Sequence, residues 1–305
     1  MIVKEFADTT TLSRLTNIMA ANNRDNIVWP NLLVNATAAN FKKKLSETSF
    51  SLISNIHGQV DCKIDRLSFK VCSSAFLITN PFQKLDYSIT AGEKTETANI
   101  HFNYQFVQNL VNYYTASDTS LLDNTEKENG SLPVFFNELH YKNKAISVLI
   151  KKLSLSKEAY QFEEILSEIG IHLFLTQREC QKKLRSIKSR NAITRKELYR
   201  RISMAKDMLY CNYEQPISIA EISKDVCVSK HHFTRLFKDV YGFSPYQFLK
   251  TVRLEKAKEL LLKDYSLAEI ARQVGFIESN SFINAFKSYT KIYPTEFRQL
   301  ISKIE

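Results

Sequence analysis

The sequence predicts an α+β chain. Its first half should be an antiparallel β-barrel or sandwich with a few helices, and its C-terminal part all-helical, with two helix-turn-helix units joined by a long helix. Three observations carry this expectation. Apolar and polar residues alternate between residues 48 and 102, the period of two that marks strands. A C-terminal segment repeats itself at an offset of 48–49 residues. Basic residues are gathered beside that repeat: residues 178–305 hold 25 Lys and Arg against 14 Asp and Glu, whereas residues 1–177 hold 17 against 18. A one-sided positive charge is the footprint of a polyanionic partner.

The elements follow in order. Met1–Asp8 has acids where a secretory leader has a basic flank and an apolar block. No apolar run reaches the roughly 20 residues of a bilayer span. A cytoplasmic protein without membrane contact is expected. Hydrophobic residues make up 44% of the chain and charged residues 24%, and 6 Gly and 6 Pro are too few for a collagen-like or long disordered chain. The five cysteines form no Cys-x-x-Cys pair, and their odd number suits a reducing compartment. Phe50, Leu52 and Ile56 begin the strand pattern. Val60, Cys62 and Ile64, then Phe69 and Val71, the run 75–78, and Leu85, Tyr87 and Ile89 continue it. Turns are expected at Gly58, Asp65, Pro81 and Gly92. Asn103 should cap a helix with Phe106, Val107, Leu110 and Val111 on one side. Residues 116–131 read as an exposed loop. Helical spacing returns at 143–153 and 158–175. In the latter, Phe162, Ile165, Leu166, Ile169 and Leu173 form a stripe that packs on its own domain or on a second copy of the chain. Nine Lys and Arg against two acids between Arg178 and Arg200 mark a basic linker.

The repeat is the strongest signal. Ser218, Glu221, Val226, Phe233, Phe237, Lys238, Pro245 and Phe248 match Ser266, Glu269, Val274, Phe282, Phe286, Lys287, Pro294 and Phe297, with one residue added in the second copy's turn. Ser218-x-x-Glu221 and Ser266-x-x-Glu269 read as capping boxes, which satisfy free amides at a helix start. A short helix, a tight turn from Cys227 or Gly275, and a second helix burying its Phe residues make a helix-turn-helix, whose second helix offers its solvent side to a major groove. Between the copies, Ser244-Pro245 starts a helix running to Leu262. At about 1.5 Å per residue it is a rod of about 27 Å, near the ~34 Å between successive major grooves on one face of DNA. An α-solenoid would need about three stacked units, and two are present.

The sequence carries no familiar catalytic or metal-binding pattern. His57, His101, His140 and His172 are scattered singly rather than clustered as ligands. There is no phosphate loop, no Gly-x-Ser-x-Gly elbow and no His-Glu-x-x-His. Only Cys62 and Cys72 fall in residues 1–177, which counts against a zinc-held methyl-accepting cysteine domain. No enzyme activity, cofactor or metal is expected.

Taken together, Ser229-x-x-x-Phe233-x-Arg235-x-Phe237-Lys238, Gly242-x-Ser244-Pro245-x-x-Phe248, Arg253-Leu254-x-x-Ala257-x-x-Leu260-Leu261, Glu269-x-Ala271, Val274-Gly275-Phe276, Ser281-Phe282, Phe286-Lys287 and Pro294-x-x-Phe297-Arg298 resemble the AraC/XylS family of bacterial regulators over residues 200–300. The resemblance implies one recognition helix from each half in neighbouring major grooves. Its base-facing positions are Lys230, His231, Thr234 and Arg235 in the first half and Ser279, Asn280, Ile283 and Asn284 in the second. Lys238 and Lys287 are assigned to phosphate. Arg235 suits guanine, and Asn280 or Asn284 suits adenine. Three positions depart from the family: Asn284 stands for the usual Arg, Lys291 for the usual Gly, and Ser223 for the usual Ala. The first half resembles the family's cupin-like sensor domain more loosely. The resemblance implies a sensor and dimerisation domain at 1–176, a basic linker at 177–197 and a DNA-binding domain at 198–305. It further implies a homodimeric activator of transcription that binds promoter DNA, meets RNA polymerase and answers to a small-molecule effector. Two alternatives stay open: control by a protein partner without a small ligand, and an enzyme carrying a DNA-targeting module.

Overall fold

The computed structural model describes residues 2–3, 30–90, 92, 94–115 and 134–301. Most of the first eight residues and the whole 116–131 segment therefore lie outside the described residues. The chain divides into two compact units, residues 1–181 and 182–305.

The first unit is built of strands β1 (Ile2–Val3), β2 (Leu32–Val34), β3 (Thr37–Ala38), β4 (Phe41–Leu45), β5 (Ser51–His57), β6 (Gln59–Ile64), β7 (Leu67–Cys72), β8 (Ala75–Thr79), β9 (Leu85–Ile89), β10 (Thr95–Thr97), β11 (Asn99–His101) and β12 (Leu139–Tyr141). The expected strands are present. They hydrogen-bond as two sheets rather than as one closed barrel. One sheet runs β1-β2-β11-β5-β10-β3, with β8 also paired to β5 and β12 to β8; the other runs β4-β9-β6-β7. Among the described residues every pair is antiparallel except β1 with β2. In β6, Val60, Cys62 and Ile64 are buried while Gln59 and Lys63 are exposed, as the alternation requires. Ile64 pairs with Leu67, so Asp65 and Arg66 form the hairpin loop, and Asp65 takes the left-handed φ of 53° that such a two-residue loop calls for. At Gly58 φ is +76°, and a Cβ there would lie 2.4 Å from Thr95 Oγ1; both facts demand glycine.

Among the described residues, three helices pack against the larger sheet. Helix α1 spans Tyr104–Thr115, and Asn103 Oδ1 accepts the Phe106 amide at 3.0 Å to start it. Helix α2 spans Lys144–Leu155 and is capped in the same way by Asn143. Helix α3 spans Ala159–Ser186. Phe162, Leu166, Ile169 and Leu173 of α3 are buried in one core with Leu33, Leu52, Ile78 and Ile100 of the sheet and with Phe102 just after β11. Each such side chain contributes roughly 1.5–3 kcal/mol by leaving water, so the stripe belongs to its own unit. It is not open to a second copy.

Helix α3 runs eleven residues beyond the end that the spacing predicts. Residues 176–186 contain no Gly, Pro or β-branched run to stop it. The basic segment 177–197 is therefore mostly helical: the end of α3, a break at 187–191, and the start of α4 (Ala192–Cys211), which Asn191 caps.

In the second unit α4 is followed by α5 (Ile219–Asp225), α6 (Lys230–Tyr241), α7 (Pro245–Leu261), α8 (Leu267–Gln273), α9 (Ser279–Thr290) and α10 (Pro294–Ile301). Helix α7 ends one residue before the predicted Leu262. Among the described residues no helix is long and apolar enough to cross a membrane.

Candidate nucleic-acid interface

Helices α5 and α6 form one helix-turn-helix, and α8 and α9 the other. In the first copy Ser218 Oγ accepts the Glu221 amide at 3.4 Å, but the box is only half formed. In the second, Ser266 accepts from Glu269, and Glu269 in turn accepts the Ser266 amide at 2.8 Å. That bond holds the Glu269 carboxyl below the usual range. A full box that the spacing did not single out starts α7, between Ser244 and Gln247.

The turns superpose in their bonding. Val228 donates its amide to Ser223 O at 2.9 Å, and Phe276 donates to Ala271 O at 2.8 Å. Cys227 and Gly275 both sit at positive φ, 54° and 83°. Glycine is obligatory only in the second copy, where a Cβ would approach Tyr213 O to 2.6 Å. Because the bonding matches through Phe276, the extra residue of the second copy falls in Ile277–Glu278. Ile277 is fully exposed.

The two second helices are matched as well. Phe233 and Phe237 are buried with ring centroids 5.7 Å apart, as are Phe282 and Phe286. This fixes which face of each helix looks outward. On α6, Lys230, His231, Arg235 and Lys238 are exposed. Thr234 is half-buried and donates its hydroxyl to Lys230 O at 3.0 Å. On α9, Asn280, Asn284 and Lys287 are exposed, while Ser279 is half-buried and Ile283 packs partly on the core of its own copy. Lys287 differs from Lys238. Its Nζ donates to the Tyr293 hydroxyl at 2.7 Å and lies 3.9 Å from that ring's centroid. Neither Ser229 nor Glu278, the residues before α6 and α9, makes a side-chain cap, although α5, α7 and α8 are each capped by a serine. The first-turn amides of α6 and α9 thus have no side-chain acceptor from the capping residue.

Two of the three departures from the family pattern, Lys291 and Ser223, have local accounts. Lys291 takes φ 71° and donates its amide to Lys287 O at 2.8 Å, as Gly242 at φ 83° donates to Lys238 O, so the last turn is intact. Ser223 is buried with its hydroxyl donated to Ala220 O. Two motif arginines turn inward. Arg253 donates to the carbonyls of Tyr213 and Gln215, and Arg298 to those of Leu261 and Tyr265. Each ties down the segment leading into one helix-turn-helix. Sequence spacing did not reveal this, because the acceptors lie 33–40 residues away.

In the sheet unit, His101 is hydrogen-bonded to Ser51 at 2.8 Å; burial, then the charge of Lys43, pulls it down to about 4, so it is neutral at pH 7. Burial likewise lowers Lys142 to about 8 while its Nζ donates to Asn55 O and Ser73 O.

Comparison with known proteins points to the same helices. The family described as a helix-turn-helix domain matches residues 222–300. The lactose operon transcription activator of Staphylococcus xylosus is 31% identical over 160 residues, which cover 52% of this chain and 56% of that protein. The HTH-type transcriptional regulator ArgR of Pseudomonas aeruginosa is 28% identical over 99 residues, 32% of this chain and 30% of that one. Among solved structures, a transcriptional regulator from Chromobacterium violaceum, described as AraC-type DNA-binding domain-containing, is 29% identical, with a TM-score of 0.31, covering 36% of this chain and 95% of that chain. The chain spans about half the length of the first curated relative and under a third of the second. Both relatives are named as regulators of transcription rather than as enzymes.

Proposed function

We propose that the chain is a regulator of the AraC/XylS family, to whose members its C-terminal helix-turn-helix domain is similar, and that α6 and α9 read promoter DNA in adjacent major grooves. One observation carries the reading. Two copies of one motif bury the same pair of Phe rings and turn polar residues outward, within the part of the chain that holds its whole basic surplus. Arg235 recognises guanine through a bidentate pair, and Asn280 or Asn284 recognises adenine. Lys230, His231 and Thr234 line the first reading face, Ser279 and Ile283 the second. Lys238 and Lys287 bind phosphate, as do the first-turn amides of α6 and α9, which lack a side-chain cap, since the start of a helix favours anions. Residues 198–305 form the DNA-binding domain, 177–197 the basic connection, and 1–176 a cupin-like sensor domain. The protein activates transcription as a homodimer in contact with RNA polymerase, and a small molecule bound to the sensor sets its activity. With the α3 stripe inside its own core, the dimer uses another surface.

The test is Arg235→Ala on an operator selected from genomic DNA. Binding should weaken by about 1–3 kcal/mol at one base position, and preference there should relax. Equal loss on every sequence would move Arg235 to the backbone, and failure of the full chain to select any operator would end the proposal. The sensor role is tested by thermal shift with metabolites, because a ligand selective for the folded state raises its stability.

A further inference from the structure

Three side chains of different chemistry meet between β12 and α3. Glu138 and His140 are two residues apart, so a strand-like backbone sends them to the same side while Leu139 between them is wholly buried on the other. Cys180 comes from α3. One ligand atom from each, a carboxylate oxygen, a ring nitrogen and Sγ, lies within 4.8 Å of the others. Glu138 and Cys180 are each 3% exposed, and His140 is half-buried. Cys180 donates its S–H to Glu138 Oε1 at 2.9 Å, and the His140 ring rests against Phe76 at 5.3 Å between centroids. The pairing of His140 with Phe76 across β12 and β8 fixes the strand side of the cluster.

We propose that Glu138, His140 and Cys180 form a divalent metal site suited to zinc. The donor set decides the ion. A thiolate and an imidazole favour zinc and other borderline-soft metals, whereas magnesium and calcium require oxygen donors. Around a tetrahedral zinc, with bonds near 2.0–2.3 Å, neighbouring ligand atoms stand roughly 3.3–3.8 Å apart. A cluster already within 4.8 Å needs only side-chain adjustment to close on the ion. Charge balances too. One carboxylate and one thiolate neutralise a dication, so the buried site carries no net charge, which a low-dielectric interior requires. On binding, the S–H bond of Cys180 breaks, a zinc–sulfur bond forms, and one proton leaves to solvent. Three protein ligands leave a fourth position for water or for a donor atom of a small molecule, reached past half-exposed His140. The ion would join strand β12 to the stretch of α3 that ends the first unit.

The test uses the full chain without a histidine tag, stripped with chelator and dialysed against zinc or cobalt(II). One equivalent of metal per chain, a thiolate-to-cobalt absorption band in the near ultraviolet and about one proton released per ion are expected. Cys180→Ser should abolish the band and weaken zinc binding by at least about 10–100-fold, whereas Cys62→Ser and Cys72→Ser leave both unchanged. Should Cys180→Ser fail to fold, His140→Gln, at a half-exposed position, must show the same loss of affinity. The proposal is overturned if the native chain retains no equivalent of zinc, if the band survives Cys180→Ser, or if His140→Gln binds like the native protein. In those cases the cluster is a thiol–carboxylate hydrogen bond only.

Discussion

Lys291 holds a left-handed backbone at the end of α9, the conformation that Gly242 holds at the end of α6. A side chain in that region costs about 1–2 kcal/mol, partly offset by the greater freedom that glycine has in the unfolded chain. Lys291→Gly should therefore stabilise the second unit by about 0.5–1 kcal/mol, read as a higher midpoint in thermal unfolding of the full chain. An unchanged or lower midpoint would mean that the lysine side chain contributes something offsetting the strain. Residues differ in how far their roles could be read from sequence. The outward positions of Arg235, Asn280 and Asn284 were legible, because the period of buried Phe fixes the opposite face. The hydroxyl of Thr234 bonded to its own helix and the seat of Lys287 on Tyr293 were not. Such bonds depend on rotamers and on where the next helix begins, which periodicity does not encode. The cluster of Glu138, His140 and Cys180 was equally invisible, because Cys180 lies about forty residues along the chain from its partners.

Helix α7 shows the same contrast one level up. Its start and end were read to within one residue from Ser244-Pro245 and the apolar spacing. What spacing could not show is that it serves both cores. Phe248 lies 5.8 Å from Phe237 of the first copy, while Leu254, Ala257 and Leu261 are buried in the second. Its seventeen residues make a rod of about 26 Å. Four alanines inserted after exposed Thr251 would lengthen the rod by about 6 Å and rotate its far end by about 40°. Footprinting should then show one half-site protected in place of two, with weaker binding. An unaltered footprint would rule out the rigid spacer. The capping boxes carry a related lesson: the same Ser-x-x-Glu spacing closed fully in the second copy and halfway in the first. A motif supplies the donors and acceptors but does not by itself close the second bond.

For the molecule as a whole, charge asymmetry is the dominant fact. Residues 178–305 carry the surplus of basic residues, and residues 1–177 are nearly neutral. If 6–10 phosphates are neutralised on binding, affinity should fall by about 10³–10⁵ between roughly 50 and 200 mM salt. Fluorescence anisotropy of the full chain on operator DNA measures this, and a flat response would contradict the electrostatic reading. Composition and period set a basic, helical part of the sequence apart from a strand-rich one. Strand partners were not legible there: alternation tells which side of a strand is buried, yet β10 and β11 pair with β5, some forty to fifty residues earlier.

The long helix α3 has one further consequence. A fragment begun at Lys182 would open in mid-turn with several bare amides, having lost the hydrogen-bond acceptors of the preceding turn. One begun at Asn191 would start on a ready-made cap but would discard Leu184 and Ile187, both buried. Either starting point thus removes something that the second unit uses: helical acceptors in one case, buried side chains in the other.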